Sequence, residues 1–233
     1  IISTNMHGDR TFFGDNWPNR ARHWLPTVDD VSDKATVEWI VTAPEDYEVV
    51  GTGELYERSD LPDGRELTHW RSSVPVAPKV MVIGAARFAI RTTGKVGSIP
   101  IEAWVYPPDR EAGFRDFGIA EEVVRFFQDI IGPFPFAKLA NVQSTTRYGG
   151  MENAGNIFYS ERAVRGDGGN EGLIVHEIAH QWFGDSVTET DWNHIWLSEG
   201  FATYLTHYYD EQRSGRRSLV EGMARDRIVV SRF

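Results

Sequence analysis

Two histidines four residues apart carry the strongest chemical signal in this chain. They lie in the segment His176-Glu177-Ile178-Ala179-His180. On a helix, positions i and i+4 share a face, so both imidazoles point at one spot, where they suit Zn²⁺. Glu177 lies about 100° around the helix from His176, so its carboxylate can reach a water on the metal without being a ligand. The pattern therefore predicts a metal site with Glu177 as general base.

The third metal ligand is predicted on the next helix. A catalytic zinc takes three protein ligands and keeps one position open. Glu199 follows His180 with eighteen residues between them, which suffices to end one helix, cross a loop and begin another. His207, eight residues past Glu199, is the rival ligand, and we expect a solvated or hydrogen-bonded role for it. His7, His23 and His69 are predicted at the surface or at the edge of the core.

A second motif lies upstream, in the segment Tyr148-Gly149-Gly150-Met151-Glu152-Asn153. Paired glycines permit the close approach of another backbone, such as an extended peptide. Glu152 would then place a carboxylate beside that backbone, where it can pair with a charged α-amine. The alternative is a plain Gly-Gly turn with an exposed Glu. The 23 residues that separate Glu152 from His176 favour the functional interpretation.

The elements around these motifs predict an α+β fold. Residues 1 to about 106 alternate in the manner of β-strands, including 36–41, a hairpin of 53–57 with 66–71, and runs at 79–83, 87–90 and 99–106. After Pro107-Pro108, helices are predicted over 119–131, 171–183 and 198–212. The first has an apolar stripe of Val123, Phe126, Phe127, Ile130 and Ile131. Asn170 is the predicted N-cap of the second.

The composition argues against several classes of binding partner and metal site. The 34 acidic and 24 basic residues give a formal charge of -10, so nucleic acid is a poor partner. The absence of Cys excludes disulfides and thiolate metal sites. No apolar run is long enough for a transmembrane segment. Because the chain begins with Ile-Ile and no signal peptide, we expect a fragment or a processed product. The compartment stays open, and a removed leader would place this soluble chain in the periplasm or outside the cell.

Three segments together resemble the M1 family of zinc aminopeptidases, which are gluzincins. They are GGMEN at 149–153, HEIAHQWFGD at 176–185 and WLSEGFATY at 196–204, in the family's order and spacing. Two further stretches are similar to family segments: FFQDIIGPFPFAK at 126–138 leads into the GxMEN strand, and RARHWLPTVDDVSDK at 20–34 belongs to the N-terminal β-domain.

The resemblance implies a role for each matching residue. It implies His176, His180 and Glu199 as ligands of one zinc ion per chain, and Glu177 as general base. It implies Glu152 as the anchor for the free amine of a peptide substrate, beside a substrate strand lined by Gly149, Gly150 and Met151. It also implies a partial N-terminal β-domain at 1–108 and a truncated, thermolysin-like catalytic domain at 109–233.

The sequence departs from the family pattern at several places. The family usually has Asn where Asp185 stands and Asp where His194 stands. A tyrosine that stabilises the tetrahedral intermediate usually lies further beyond the third ligand, so Tyr204, Tyr208 and Tyr209 are too close to Glu199 to be that residue. The family's C-terminal helical domain is absent from this sequence.

We expect a zinc-dependent aminopeptidase, with two rival interpretations. A zinc endopeptidase shares the HExxH chemistry but needs no amine anchor, so Glu152 discriminates against it. A silent, zinc-containing binding module needs a fourth ligand and no base, so Glu177 discriminates against that. An epoxide hydrolase side activity, known in one branch of the family, stays open.

Overall fold

The computed structural model describes residues 1–231 as three β-sheets and a set of helices. The strands are β1 Ile2–Thr4, β2 Arg10–Phe13, β3 Glu38–Pro44, β4 Glu48–Gly51, β5 Glu54–Asp60, β6 Arg65–Arg71, β7 Ile83–Ala86, β8 Ala89–Val96, β9 Ile99–Val105, β10 Leu139–Ser144, β11 Gly150–Met151 and β12 Asn156–Ser160. The α-helices are α1 Arg110–Asp116, α2 Ala120–Ile130, α3 Glu171–Ala179, α4 Trp196–Ser214 and α5 Arg216–Val230.

The two smaller sheets come from the first ninety residues and are antiparallel. One has the order β1-β2-β7-β4 and the other has the order β3-β6-β5. In the second sheet, β5 and β6 form the predicted hairpin, which turns at residues 61–64. Their strand-rich character follows from the alternating pattern, and it confirms the β-sheet module predicted for the N-terminal part of the chain.

The largest sheet is mixed and has the order β11-β12-β10-β9-β8. Strand β10 runs parallel to β9 and β12, while β8 and β11 run antiparallel at the two edges. The central strands β10 and β12 are buried almost throughout, as expected where helices or other sheets cover both faces. The sheet crosses the division predicted at residue 108, because β8 and β9 precede it. The domain division itself stays a prediction.

The helices form layers that extend away from this sheet. Helices α1 and α2 pack on β9 and β8, α3 packs on α2 and β11, α4 packs on α3, and α5 packs on α4. Helix α2 buries Val123, Val124 and Phe127 in the main core, and α3 buries Ile174 and Ile178. The α+β class predicted from the sequence is confirmed. Within residues 1–231, the helices include none that is long and apolar enough to cross a membrane.

Four local predictions were wrong. Residues 78–80 form a 3-10 turn that begins at Pro78, which has no N–H to donate to a strand ladder, so the predicted strand at 79–83 begins only at Ile83. Ile130 lies off the buried stripe of α2 and is 44% exposed. Helix α3 ends at Ala179 rather than at residue 183. Asn170 makes no capping bond, because its Nδ2 donates to the carbonyl of Ala163 instead.

Candidate active site

His176 and His180 lie at the C-terminal end of α3 and face the same spot. Their Nε2 atoms are 3.1 Å apart, as the i, i+4 spacing predicts. His176 is in the last turn of the helix, and His180 is the residue at which the helix ends. The apolar face of the same helix is buried in the core, so the two imidazoles are carried on a rigid element.

Glu199 lies in the first turn of α4 and completes a compact group of three ligand atoms. Its Oε2 is 3.4 Å from His176 Nε2 and 3.5 Å from His180 Nε2. Because α4 packs directly on α3, the two helices bring together residues that are far apart in sequence. The structure thus brings the three predicted ligands to one point, and their role as ligands stays a prediction.

The three atoms have the spacing that a tetrahedral metal needs. Ligands at ~2.0–2.1 Å from a tetrahedral ion lie roughly 3.3 Å from one another. The observed separations of 3.1, 3.4 and 3.5 Å form such a triangle and leave a fourth corner open. Two imidazoles and one carboxylate are also donors that suit zinc. The residues present therefore fit a zinc ion.

The second nitrogen of His180 is held by the chain around it. His180 Nδ1 lies 3.1 Å from the carbonyl oxygen of Phe183, to which it donates, and 3.0 Å from Ser198 Oγ. A proton on Nδ1 leaves the lone pair of Nε2 free for a metal. Gly184 has φ +124°, and a Cβ there would lie 2.4 Å from Ser198 Oγ. Glycine at this position therefore permits the turn that follows the helix.

Glu177 is buried beside the ligand group and contacts the neighbouring strand β11. A Cβ on Gly150 would lie 2.3 Å from Glu177 Oε1, so only glycine leaves room for this carboxylate. Burial raises the pKa of Glu177 to about 8; His180 opposes the shift, while Glu152 and Glu199 add to it. Its carboxyl group thus lies beside the ligand group, at the position that a general base would take.

The electrostatics of the group call for a cation. Burial acts to lower the pKa of His180, but Glu152, Glu199 and Glu177 outweigh it and raise this pKa to about 10. Hydrogen bonds from His176 and His180 hold the pKa of Glu199 far below its usual range. Among the described residues that line the cavity, none is Lys or Arg. A bound dication would offset the carboxylates that meet here.

Glu152 follows β11, at the edge of the five-stranded sheet. Its side chain is only slightly exposed, and its Oε1 has no hydrogen-bond partner within residues 1–231. The backbone of Glu152 is held in place by Gln181, whose Nε2 donates to the Glu152 carbonyl at 2.8 Å. Glu152 also lies within 4.8 Å, atom to atom, of Glu177 and His180. An unpaired buried carboxylate at this point can receive a positively charged group.

These residues surround one cavity of about 280 Å³. Besides the predicted residues, it is lined by Trp17, Tyr148 and Leu173, to which the sequence motifs assign no role. Leu173 lies three residues before His176, so helical periodicity could have placed it on the same face. Tyr148 directly precedes the GGMEN segment. Trp17 carries no such signal, because it reaches the cavity from a loop more than a hundred residues away.

The remaining candidates lie elsewhere. His207 Nε2 bonds Asp226 on α5 at 2.6 Å, so the rival ligand takes the hydrogen-bonded role expected for it. Tyr209 is buried and donates to Glu122 at 2.9 Å. Tyr204, Tyr208 and Tyr209 are not among the residues that line the cavity within the described part of the chain.

Asp185 lies behind the ligands, where the family usually has Asn. It is fully buried, and neither of its carboxylate oxygens has a hydrogen-bond partner within residues 1–231. Burial raises its pKa well above the usual range. Asp and Asn have the same shape, so the departure from the family pattern changes little in the packing at this position.

The fold and the site define a class of α+β proteins in which an HExxH helix and a following helix converge on a candidate metal site. Residues 115–230, which include His176, His180, Glu199, Glu177 and Glu152, match the Peptidase family M1 domain. The chain therefore belongs to peptidase family M1.

Curated proteins similar to this chain carry the names of aminopeptidases and of a hydrolase. Leukotriene A-4 hydrolase of Xenopus laevis is 28% identical over 200 residues, which is 83% of this chain and 32% of that protein. Probable aminopeptidase 2 of Sulfurisphaera tokodaii is 26% identical over 80% of this chain and 25% of its own length. Aminopeptidase B of Rattus norvegicus is 27% identical over 78% of this chain and 27% of its own length. The chain thus spans a third or less of the length of these relatives.

Proposed function

We propose that this chain carries the catalytic centre of a zinc-dependent aminopeptidase that hydrolyses the N-terminal peptide bond of peptides. The observation that carries the proposal is the position of Glu152. Its buried Oε1, which has no hydrogen-bond partner among residues 1–231, lies in the same cavity as the His176, His180 and Glu199 group. That arrangement offers a positively charged amine a fixed partner close to the point where hydrolysis would occur.

His176, His180 and Glu199 would hold the zinc ion. Zinc bound there supplies Lewis acidity, which acidifies water and polarises a carbonyl oxygen. The other groups of the cavity belong to the chain itself. Glu177 accepts the proton of the attacking water and returns it to the departing amine.

The edge strand β11 orients the substrate. Because β11 is the outermost strand of its sheet, one side of its backbone is free to pair with an extended peptide. Gly149, Gly150 and Met151 line this approach. When Glu152 binds the free N-terminus, the first peptide bond is held in register with the ligand group, so positioning contributes to catalysis. The substrates are then peptides with a free N-terminus.

The two rival functions fit the cavity less well. An endopeptidase would bind uncharged backbone on both sides of the cleaved bond, and a buried carboxylate without a partner would oppose that. A silent binding module would need no base. Residue 150 is glycine here, and a side chain at that position would collide with the Glu177 carboxylate. Both observations favour the aminopeptidase.

The first test separates metal binding from hydrolysis. Glu177→Gln should keep one zinc per chain, measured by elemental analysis, and lower kcat by about 10²–10⁴. Glu171→Gln, on the same helix but outside the cavity, is the matched control and should retain activity. Loss of zinc from a folded Glu177→Gln protein would contradict the assignment of Glu177 as base.

The second test concerns the free amine. Peptides with an acetylated N-terminus lack the cation that pairs with Glu152, so the wild-type protein should cleave them far more slowly than free peptides. Glu152→Gln should shrink that difference mainly by slowing cleavage of the free peptide. Equal rates for free and acetylated peptides in the wild type would support an endopeptidase instead.

A further inference from the structure

One wall of the cavity comes from the N-terminal part of the chain. Trp17 lies in the loop between β2 and the 3-10 helix at residues 21–23, and it lines the same cavity as the α3 and α4 residues. Its ring meets Tyr148 edge-on at 5.8 Å and Trp192 edge-on at 5.7 Å. Neither the metal site nor the base nor the amine anchor uses this side chain.

The loop that carries Trp17 is fastened on both sides. The Arg20 guanidinium donates twice to the Trp17 carbonyl, from Nε at 2.8 Å and from Nη2 at 2.6 Å. Nη2 also donates to the Tyr148 hydroxyl at 3.1 Å. On the other side, Trp192 Nε1 donates to Asn19 Oδ1 at 2.9 Å. The indole is therefore a fixed wall, because Arg20 ties the loop internally and two other segments, at Tyr148 and Trp192, hold it from outside.

The wall is apolar and faces a cavity that is otherwise acidic. Trp17, Tyr148, Met151 and Leu173 present rings or alkyl groups, whereas the remaining lining side chains are those of the ligand group, the base and the amine anchor. Fixed aromatic surface of this kind binds apolar and aromatic side chains through area burial and edge-to-face contact.

The charge beside the wall disfavours a cationic side chain. Arg20 lies against Tyr148 and the Trp17 backbone, and its Nη1 pairs with Asp15 at 3.3 Å. A Lys or Arg side chain on the indole face would gain a cation–π contact but would also meet this guanidinium. An acidic side chain gains little, because the donors of Arg20 already have partners.

We propose that Trp17 is a specificity-determining residue that selects peptides whose first side chain is large and apolar or aromatic. The proposal rests on the aminopeptidase function proposed above. Glu152 takes the α-amine of the first residue, and Trp17 contacts the side chain of that same residue. The N-terminal β-sheet part thus contributes to substrate choice as well as to the fold.

The experiment compares first residues in the zinc-loaded protein. The wild type should show a higher kcat/KM for phenylalanyl and leucyl than for alanyl and lysyl substrates. Trp17→Ala should lower kcat/KM for the phenylalanyl substrate by about tenfold to a hundredfold, and should change the alanyl value by less than about threefold. Trp17→Phe should retain most of the preference. Tyr56→Ala removes an exposed aromatic ring from β5, away from the cavity, and should change neither value.

A binding measurement separates this proposal from the proposed function. In the Glu177→Gln background, calorimetry gives the Kd of the dipeptides phenylalanyl-glycine and alanyl-glycine without turnover. We expect Trp17→Ala to bring the two Kd values together. Three outcomes would overturn the role of Trp17 alone. They are an unchanged ratio of the two Kd values, an equal loss of affinity for both dipeptides, and a preference for lysyl peptides. If neither dipeptide binds to any of these proteins, the aminopeptidase proposal fails and this one with it.

Discussion

Three functional side chains at this site, those of His180, Glu177 and Glu152, depend on neighbouring groups for their position. His180 presents Nε2 to the ligand group because its Nδ1 donates a hydrogen bond to the backbone carbonyl of Phe183. Glu177 reaches the cavity because Gly150 has no side chain. Glu152 has one carboxylate oxygen without a partner in the described part of the chain, while Gln181 holds its backbone. The chemistry therefore depends as much on these neighbours as on the residues of the HExxH motif.

Gly150 gives a sharp test of this dependence. Gly150→Ala would place a Cβ 2.3 Å from Glu177 Oε1 and 2.4 Å from its Cδ, so the carboxylate must move. We expect zinc content to be retained and kcat to fall by roughly tenfold to a hundredfold, because misplacement of a reacting group by about 1 Å has such an effect.

Two further glycines make this result interpretable. Gly172 lies on α3, the helix of Glu177, and a methyl group added there would have no neighbouring atom within 4 Å, so Gly172→Ala should be active and slightly more stable. At Gly149 the added methyl would only touch Leu173 at 3.7 Å, so Gly149→Ala should cost much less than Gly150→Ala. Equal losses at all three positions would contradict the steric explanation.

At the scale of elements, the loop between α3 and α4 decides where Glu199 stands. Two lysines from the N-terminal part of the chain hold this loop. Lys34 Nζ donates to the carbonyls of Asp185 and Ser186 at 3.2 and 2.8 Å. Lys79 forms a fully buried ion pair with Glu189 at 2.6 Å, and its ammonium also lies 5.5 Å from the ring of Trp192.

Removal of one member of the buried pair should lower the free energy of unfolding strongly, whereas replacement of both members should lower it little. Lys79→Met leaves the Glu189 carboxylate buried without its partner, which should lower the free energy of unfolding by about 3–5 kcal/mol. The double variant Lys79→Met with Glu189→Leu removes both charges and should recover most of that loss. Chemical denaturation of the wild type, both single variants and the double variant measures the coupling. Additive losses would show that the pair is not coupled.

The same elements show how far sequence can predict the site. The i, i+4 histidines, Glu177 and Glu199 are predictable because helical periodicity and a short connection define them locally. The end of α3 at Ala179 was missed, since residues 180–184 retain a helical pattern while the chain turns to hold His180. Trp17, Lys34 and Lys79 could not be placed, because their partners lie more than a hundred residues away and only tertiary packing brings them together.

At the scale of the molecule, Lys138 connects the sheets on which the site is built. Its Nζ donates to the carbonyl of Gly51, at the end of β4, at 3.0 Å, and to Asn156 Oδ1, at the start of β12, at 2.5 Å. A longer contact of 3.5 Å reaches the Gly155 carbonyl. The buried amine thus joins the four-stranded sheet to the five-stranded sheet. Its partner Asn156 follows Glu152 closely in the sequence.

Lys138 should make the free energy of unfolding rise with pH. Burial lowers the pKa of Lys138 from 10.5 to about 7, although Glu102 opposes the shift. Between those values the unfolded chain holds a proton that the folded chain does not, so the free energy of unfolding should rise with pH, by at most about 1.4 kcal/mol per pH unit. We expect the wild type to gain stability relative to Lys138→Met between pH 7 and 9, measured by denaturation of the metal-free proteins. The difference between the two proteins isolates this lysine, since all other groups titrate in both. Parallel curves would mean that the surrounding carbonyl and amide oxygens keep the amine protonated in the folded state, and that its role is purely that of a charged tie between the sheets.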